Sequence, residues 1–205
     1  MLFAIQKNIL KTKFQEEIVI EEGVLVIGEY AFSRCDSLKK VYLPKSLKSI
    51  EISAFYGDEL LNEIYYCGDV DEWCNLQMSQ AYLVREDASF YIKNDLGNFY
   101  TPTKIVIPQN VTTINECQFE NFNFIDEIVL HDKIESIGKS AFEGCTNLES
   151  VIIGNGVISI GNYAFENCTS LKNIILGNSV TNIGSSAFYN CKSLTSIEIP
   201  NSVIN

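Results

Sequence analysis

Catalysis and metal binding need converging side chains, so the reactive residue types set the first limits. The single histidine, His131, has no serine or cysteine motif around it, and it fills a repeat position that other segments give to Pro or Gly. A lone imidazole of that kind reads as a solvated turn residue rather than a base. No Gly-x-Ser-x-Gly, His-Glu-x-x-His or Gly-x-x-x-x-Gly-Lys run is present, which removes a hydrolase elbow, a zincin helix and a phosphate loop. Cys67 and Cys74 are separated by six residues, with Cys117 further on, and that spacing matches no common zinc pattern. No metal and no cofactor is expected; a Cys67–Cys74 disulfide stays open for an exported chain. Asp69, Asp71 and Glu72 crowd one segment beside the only tryptophan, Trp73, without an identified opposing carboxylate, so the paired geometry of a glycosidase is unsupported. Asn110-Val-Thr112 and Asn167-Cys-Thr169 are glycosylation sequons by letter alone. These residues point to a protein that is not an enzyme.

Composition narrows the partners. The chain has 205 residues, 46% hydrophobic and 20% charged, with a formal net charge of -11. Such acidity repels phosphate backbones and anionic lipid, so neither nucleic acid nor membrane insertion is expected. No stretch approaches a bilayer-spanning helix. The first ten residues lack the basic start and continuous apolar run of a signal peptide, which leaves a cytoplasmic location open.

What positions any functional side chain is a repeat. Phe32 and Phe55, then Phe119, Phe142, Phe165 and Phe188, are each 23 residues apart apart from one 64-residue jump. Six residues after each comes an apolar residue (Leu38, Leu61, Ile125, Leu148, Leu171, Leu194). At nine and eleven come pairs such as Val41 and Leu43 or Ile174 and Leu176, and at eighteen Ile50, Ile137, Ile160 and Ile183. The pairs alternate with period two, which predicts a short strand with two inward side chains. Val-x-x-Ile-Gly predicts a second short extended segment, and Ala-Phe-x-x-Cys-x-x-Leu a single tight helical turn. Cys145, Cys168 and Cys191 follow the same period, as Cys35 does relative to its own Phe, so they read as small buried hydrophobes. One such coil buries too little to offset the entropy of ordering its backbone, so coils must stack. The expected fold is an α/β repeat solenoid of about seven or eight coils.

The stretch Ser179-Val-Thr-Asn-Ile-Gly-Ser-Ser-Ala-Phe-Tyr-Asn-Cys-Lys-Ser-Leu-Thr-Ser-Ile-Glu-Ile-Pro200 and the two coils before it resemble the BspA-like class of leucine-rich repeats. Asp58 and Phe122 depart from the pattern where Cys is expected. The resemblance implies a right-handed leucine-rich-repeat superhelix with short parallel strands and single helical turns. It also implies a non-catalytic protein-binding module at the cell surface or secreted, engaged in adhesion or host and microbe contact.

The chain divides on this reading into an N-terminal cap at 1–17, repeats at 18–66, an irregular island at 67–104, and repeats at 105–205. Leu2, Phe3, Ile5, Ile9, Leu10 and Phe14 are expected to cover the first coil, with an amphipathic helix as one form for them. In the island a bare count puts Met78 at the Phe position, and Phe90–Ile92, Asn94–Gly97 and Lys104–Ile107 read as strand, turn, strand. Trp73, Tyr82, Phe90 and Tyr91 read as a satellite core, with a ligand-contacting knob carrying Trp73 as the functional alternative. The residue between the two inward strand positions must point outward. Down the stack it is Val19, Tyr42, Tyr65, Val106, Val129, Ile152 and Ile175, then Glu198, with charged flanks. An apolar row with a polar rim is the expected protein-binding surface. Two other functions stay in view: self-association through open solenoid ends, and carbohydrate binding or hydrolysis at the island.

Overall fold

The computed structural model describes residues 4–5 and 14–204. The chain forms two compact units, Met1–Thr101 and Pro102–Asn205. In the first, β1 (Ala4–Ile5), β3 (Val26–Ile27), β5 (Ser49–Ile50) and β7 (Gln77–Met78) make one parallel sheet. A second sheet takes β2 (Glu17–Val19), β4 (Lys40–Leu43), β6 (Glu63–Tyr66) and β8 (Ser89–Lys93) in parallel, with β9 (Phe99–Tyr100) antiparallel on its edge. The second unit repeats the plan. Its sheets are β10 (Lys104–Val106), β12 (Glu127–Val129), β14 (Ser150–Ile152), β16 (Asn173–Ile175), and β11 (Thr113–Ile114), β13 (Ser136–Ile137), β15 (Ser159–Ile160), β17 (Asn182–Ile183). Ile105 pairs with Ile128, Ile128 with Val151 and Val151 with Ile174, so the 23-residue period is the sheet register. Each unit is a parallel β-solenoid.

The inward residues form the columns that the period predicts. Phe119, Phe142, Phe165 and Phe188 stack with ring centroids 5.3, 5.1 and 5.6 Å apart, and Phe32 lies 5.2 Å from Phe55. Around them Leu38, Leu61, Ile125, Leu148 and Leu171 are fully enclosed. Each such side chain removed from water contributes about 1.5–3 kcal/mol, and only a neighbouring coil can complete the enclosure.

The segment around each Phe is not the helical turn that its apolar spacing suggests. Alternate amides bond in different directions. Ala141, Glu143 and Cys145 donate back three residues, to the carbonyls of Gly138, Ser140 and Phe142, while Ser140, Phe142 and Gly144 donate to Asn162, Ala164 and Glu166 of the next coil. The coils of Phe32 and Phe165 do the same. The alternation requires left-handed backbone two residues before and after the Phe: Tyr30 and Arg34, Cys117 and Asn121, Tyr163 and Asn167 all have φ between 54° and 61°. A glycine fills the second place at Gly57 and Gly144, and asparagine, the side chain that best tolerates this conformation, fills it at Asn121, Asn167 and Asn190. Elsewhere the strain is offset by hydrogen bonds to the adjoining coil. The only described helix of more than three residues, Val70–Cys74, is therefore not one of these Phe segments.

The cysteine column has its own bonding rule. The thiols of Cys145, Cys168 and Cys191 each donate to a carbonyl of the preceding coil, on Phe119, Phe142 and Phe165, at 3.2 Å. All seven cysteines are free, and Cys67 and Cys74 are not joined. Burial pushes the Cys145 and Cys168 thiols far up, and that of Cys191 to about 11. Since the thiolate is the reactive form, Cys145 and Cys168 should react with a disulfide reagent at least about 100-fold more slowly than half-buried Cys67, because they require local opening. Mass spectrometry of partially labelled intact protein checks this; equal labelling of Cys145 and Cys67 would contradict the column.

Most of the proposed cap lies outside the described residues. Ala4–Ile5 is a short strand rather than part of a helix, and Phe14 is exposed. Within 67–104 the ladders continue. Met78 pairs with Ile50, not at the Phe position, because five extra residues precede it as the helix Val70–Cys74. That helix is closed by a capping box: Asp69 accepts from the Glu72 amide at 2.9 Å, and Glu72 accepts from the Asp69 amide at 3.0 Å. The turn at Asn94–Gly97 is followed by Phe99–Tyr100 as its return strand, whereas Lys104–Val106 opens the sheet of the second unit. Of the four residues assigned to a satellite core, Trp73 and Phe90 are buried while Tyr82 is exposed and Tyr91 faces outward.

Candidate functional site

Strand alternation decides which side chains a partner can reach. In β10, β12, β14 and β16 the middle residue is buried and its neighbours are exposed. Val106, Val129, Ile152 and Ile175 therefore form an outward apolar row, with Ile152 62% and Ile175 60% exposed. The parallel outward column two residues earlier is Lys104, Glu127, Ser150 and Asn173. Lys104 bonds Glu127 at 2.8 Å, and Lys172 bonds Glu149 at 3.0 Å.

The first unit builds the same face from aromatics. Val19 is 60% exposed, and beyond it Tyr42, Tyr65 and Tyr91 stack with centroids 4.6 Å apart at each step. Phe99, carried by the return strand β9, sets its ring edge-on to Tyr65 at 5.1 Å and to Tyr42 at 6.3 Å. The rim is tied into this platform. Lys40 bonds Glu63 at 3.2 Å and Glu17 at 4.0 Å, and its ammonium lies 5.5 Å from the Tyr65 ring centre. The Tyr65 hydroxyl donates to Glu63 at 2.8 Å. That bond holds the Glu63 carboxyl below the usual carboxylate range. Desolvation pushes the Tyr65 hydroxyl up, and the bond to Glu63 adds to the shift. Lys93 caps the far side, 5.2 Å from the Phe99 ring centre. The arrangement offers flat aromatic edges inside paired charges, and no group poised to gain or lose a proton near neutrality.

Sequence reasoning missed Tyr91 and Phe99. Tyr91 was recoverable from period two, once Phe90 is recognised as the counterpart of Ile64. Phe99 carries no repeat signal, because the hairpin that delivers it lies off the period. Trp73 takes the satellite-core place rather than that of an exposed knob: it is 1% exposed and packs edge-on against Tyr66 at 5.2 Å and Phe90 at 4.7 Å. Its apolar surface fills the space that the inserted helix opens. The acids beside it are committed too, since Asp69 and Glu72 cap the helix. His131 spends both ring nitrogens within the fold: Nδ1 accepts from the Lys133 amide at 3.2 Å, and Nε2 donates to the Pro108 carbonyl at 2.8 Å. Among the described residues no three His, Cys, Asp or Glu side chains converge as metal ligands do, and no helix is long and apolar enough to cross a membrane.

The model of the BspA type leucine rich repeat region matches residues 4–79 and 91–205, in six copies. The chain belongs to that family. The gap in the match falls between β7 and β8, after the helix that carries the inserted residues. A leucine-rich cell surface protein from Faecalibacterium prausnitzii A2-165 is similar at 27% identity over 88% of this chain and 58% of its own, with a TM-score of 0.47. A leucine-rich repeat protein from Bacteroides ovatus ATCC 8483 is similar at 27% identity over 87% of this chain and 59% of its own, with a TM-score of 0.44. A leucine-rich repeat protein of T. pallidum gives 19% identity over 87% of this chain and 78% of its own, with a TM-score of 0.37. The chain thus spans less than two thirds of the first two. Among curated proteins none matches.

Proposed function

We propose that this BspA-type chain is a non-catalytic recognition module of a bacterial surface, binding a protein partner through the outward faces of its strand sheets. The observation that carries this reading is the exposed apolar row Val106, Val129, Ile152 and Ile175 together with the tyrosine platform of the first unit. A solvated sheet face is normally polar. Interfaces favour an apolar and aromatic centre inside a charged rim, and Tyr in particular gives contact area at low entropic cost. The rim lysines are already paired with glutamates one coil away, so ordering them for a partner costs little extra. A surface location and a role in adhesion are the expectations that family membership brings. The carbohydrate reading loses its support with Trp73 in the core.

The test is retention of beads carrying the full chain on immobilised extracellular-matrix proteins. Replacing Tyr42, Tyr65 and Ile152 by Ser should lower retention by at least about tenfold, which corresponds to the loss of roughly 1.4 kcal/mol. Ile158→Ser, an exposed apolar residue outside the row, serves as the control and should change nothing. Equal retention of the triple variant, with a cooperative melt, would leave the faces as scaffold only.

A further inference from the structure

The cysteine column contains one substitution of a different chemical kind. Asp58 stands three residues after Phe55, where four other coils place a thiol and one places Phe122, and it is 3% exposed. Its Oδ1 accepts from the Cys35 amide at 2.7 Å, and its Oδ2 has no partner among the described residues. In three other coils this position is a donor: Cys145, Cys168 and Cys191 each give their proton to the carbonyl of the Phe 26 residues earlier. For Asp58 that residue is Phe32. A carboxylate has no proton to give, whereas a carboxylic acid has one. The backbone amides of Cys35 and Arg34 favour its charged form, Asp36 of the coil before disfavours it, and on its own coil Glu59 is ion-paired at 3.0 Å to Arg85 of the coil after. Asp36 opposes a second negative charge, and Arg85 is engaged by Glu59 and, at 3.4 Å, by Asp87.

We propose that Asp58 is carried as the neutral acid between the coils, its Oδ2 proton donated to the Phe32 carbonyl in place of a thiol, and that its ionisation is a pH switch that loosens the first unit. Burial works in the same direction. Desolvation, the largest influence, raises the carboxyl to about 7, against the pull of the Cys35 amide, with Asp36 adding to the rise. A folded value above the unfolded one means stability that is fully present below about pH 4 and is lost as pH rises through about 7. Acid tightens this unit, the reverse of the usual effect of a paired aspartate.

Two measurements on the full chain decide it. The carbon-13 shift of the Asp58 carboxyl, assigned through its own backbone, should titrate near neutrality; a midpoint below about 5 overturns the proposal. The melting temperature should be lower by about 5 °C or more at pH 8 than at pH 5. Asp58→Asn, which keeps a donor without a charge, and Asp58→Cys, which restores the thiol, should both abolish that difference. If either folded variant retains it in full, another group is responsible and the switch is not Asp58. Should both variants fail to fold, the carboxyl titration alone decides.

Discussion

Phe165→Ala should unfold the second unit under conditions where the native chain is fully folded, with a loss of about 3–5 kcal/mol. The ring is completely buried, with Phe142 on one face at 5.1 Å and Phe188 on the other at 5.6 Å. Its removal leaves a void bounded by two rings and by backbone that is fixed in hydrogen bonds to both neighbouring coils. The Phe165 amide donates to Ala187 and its carbonyl accepts the Cys191 thiol of the following coil, while the adjoining Ala164 carbonyl accepts from the Phe142 amide of the preceding one, so neither coil can close over the gap. A coil's stability lies largely in its two interfaces, so the loss is felt on both sides. Urea denaturation followed by circular dichroism measures it. A change under about 1 kcal/mol would mean that the Phe rings are not a continuous column.

Trp73→Ala should cost a similar amount, about 3–5 kcal/mol, but in the first unit. The indole fills the space between Tyr66 and Phe90, one ring in each of two adjacent strands, and so bridges β6 and β8 at the point where the inserted helix departs. Urea melts of the variant should show the first unit destabilised while the second is unchanged. A stable variant with altered ligand binding would return the residue to the surface role that the irregular island allows.

The contrast between these two residues marks how much was legible in the sequence. Phe165 was placed by arithmetic, because a 23-residue step in sequence became a parallel register in space, and the columns of Leu148, Ile160 and Val180 followed. The outward row came from the same alternation, and for that reason Val129, Ile152 and Ile175 were found before any coordinates. Two features escaped. The direction of the amides around each Phe depends on left-handed residues such as Tyr163 and Ser140, whose types give no sign of that conformation. The island combines five inserted residues with a hairpin, so a bare count misplaced Met78 and hid the partner of the Asn94–Gly97 turn. Trp73 was read as satellite core and lies there, whereas Tyr82, grouped with it, is exposed, because an aromatic off the period shows no inward or outward side until its neighbours are known.

The paired ladders also govern how such a gene can change without ruin. Every parallel sheet bond joins a residue to its counterpart one coil away, so duplication or deletion of one whole period delivers each strand to a matching partner. Loss of a single codon inside Ser150–Ile152 would instead turn its inward side chain outward. The arcs obey no such arithmetic. The span from Tyr66 to Gln77 is five residues longer than the one from Leu43 to Ser49, and both end on paired strands. Recombination can therefore rewrite the arcs residue by residue and the ladders only in whole periods.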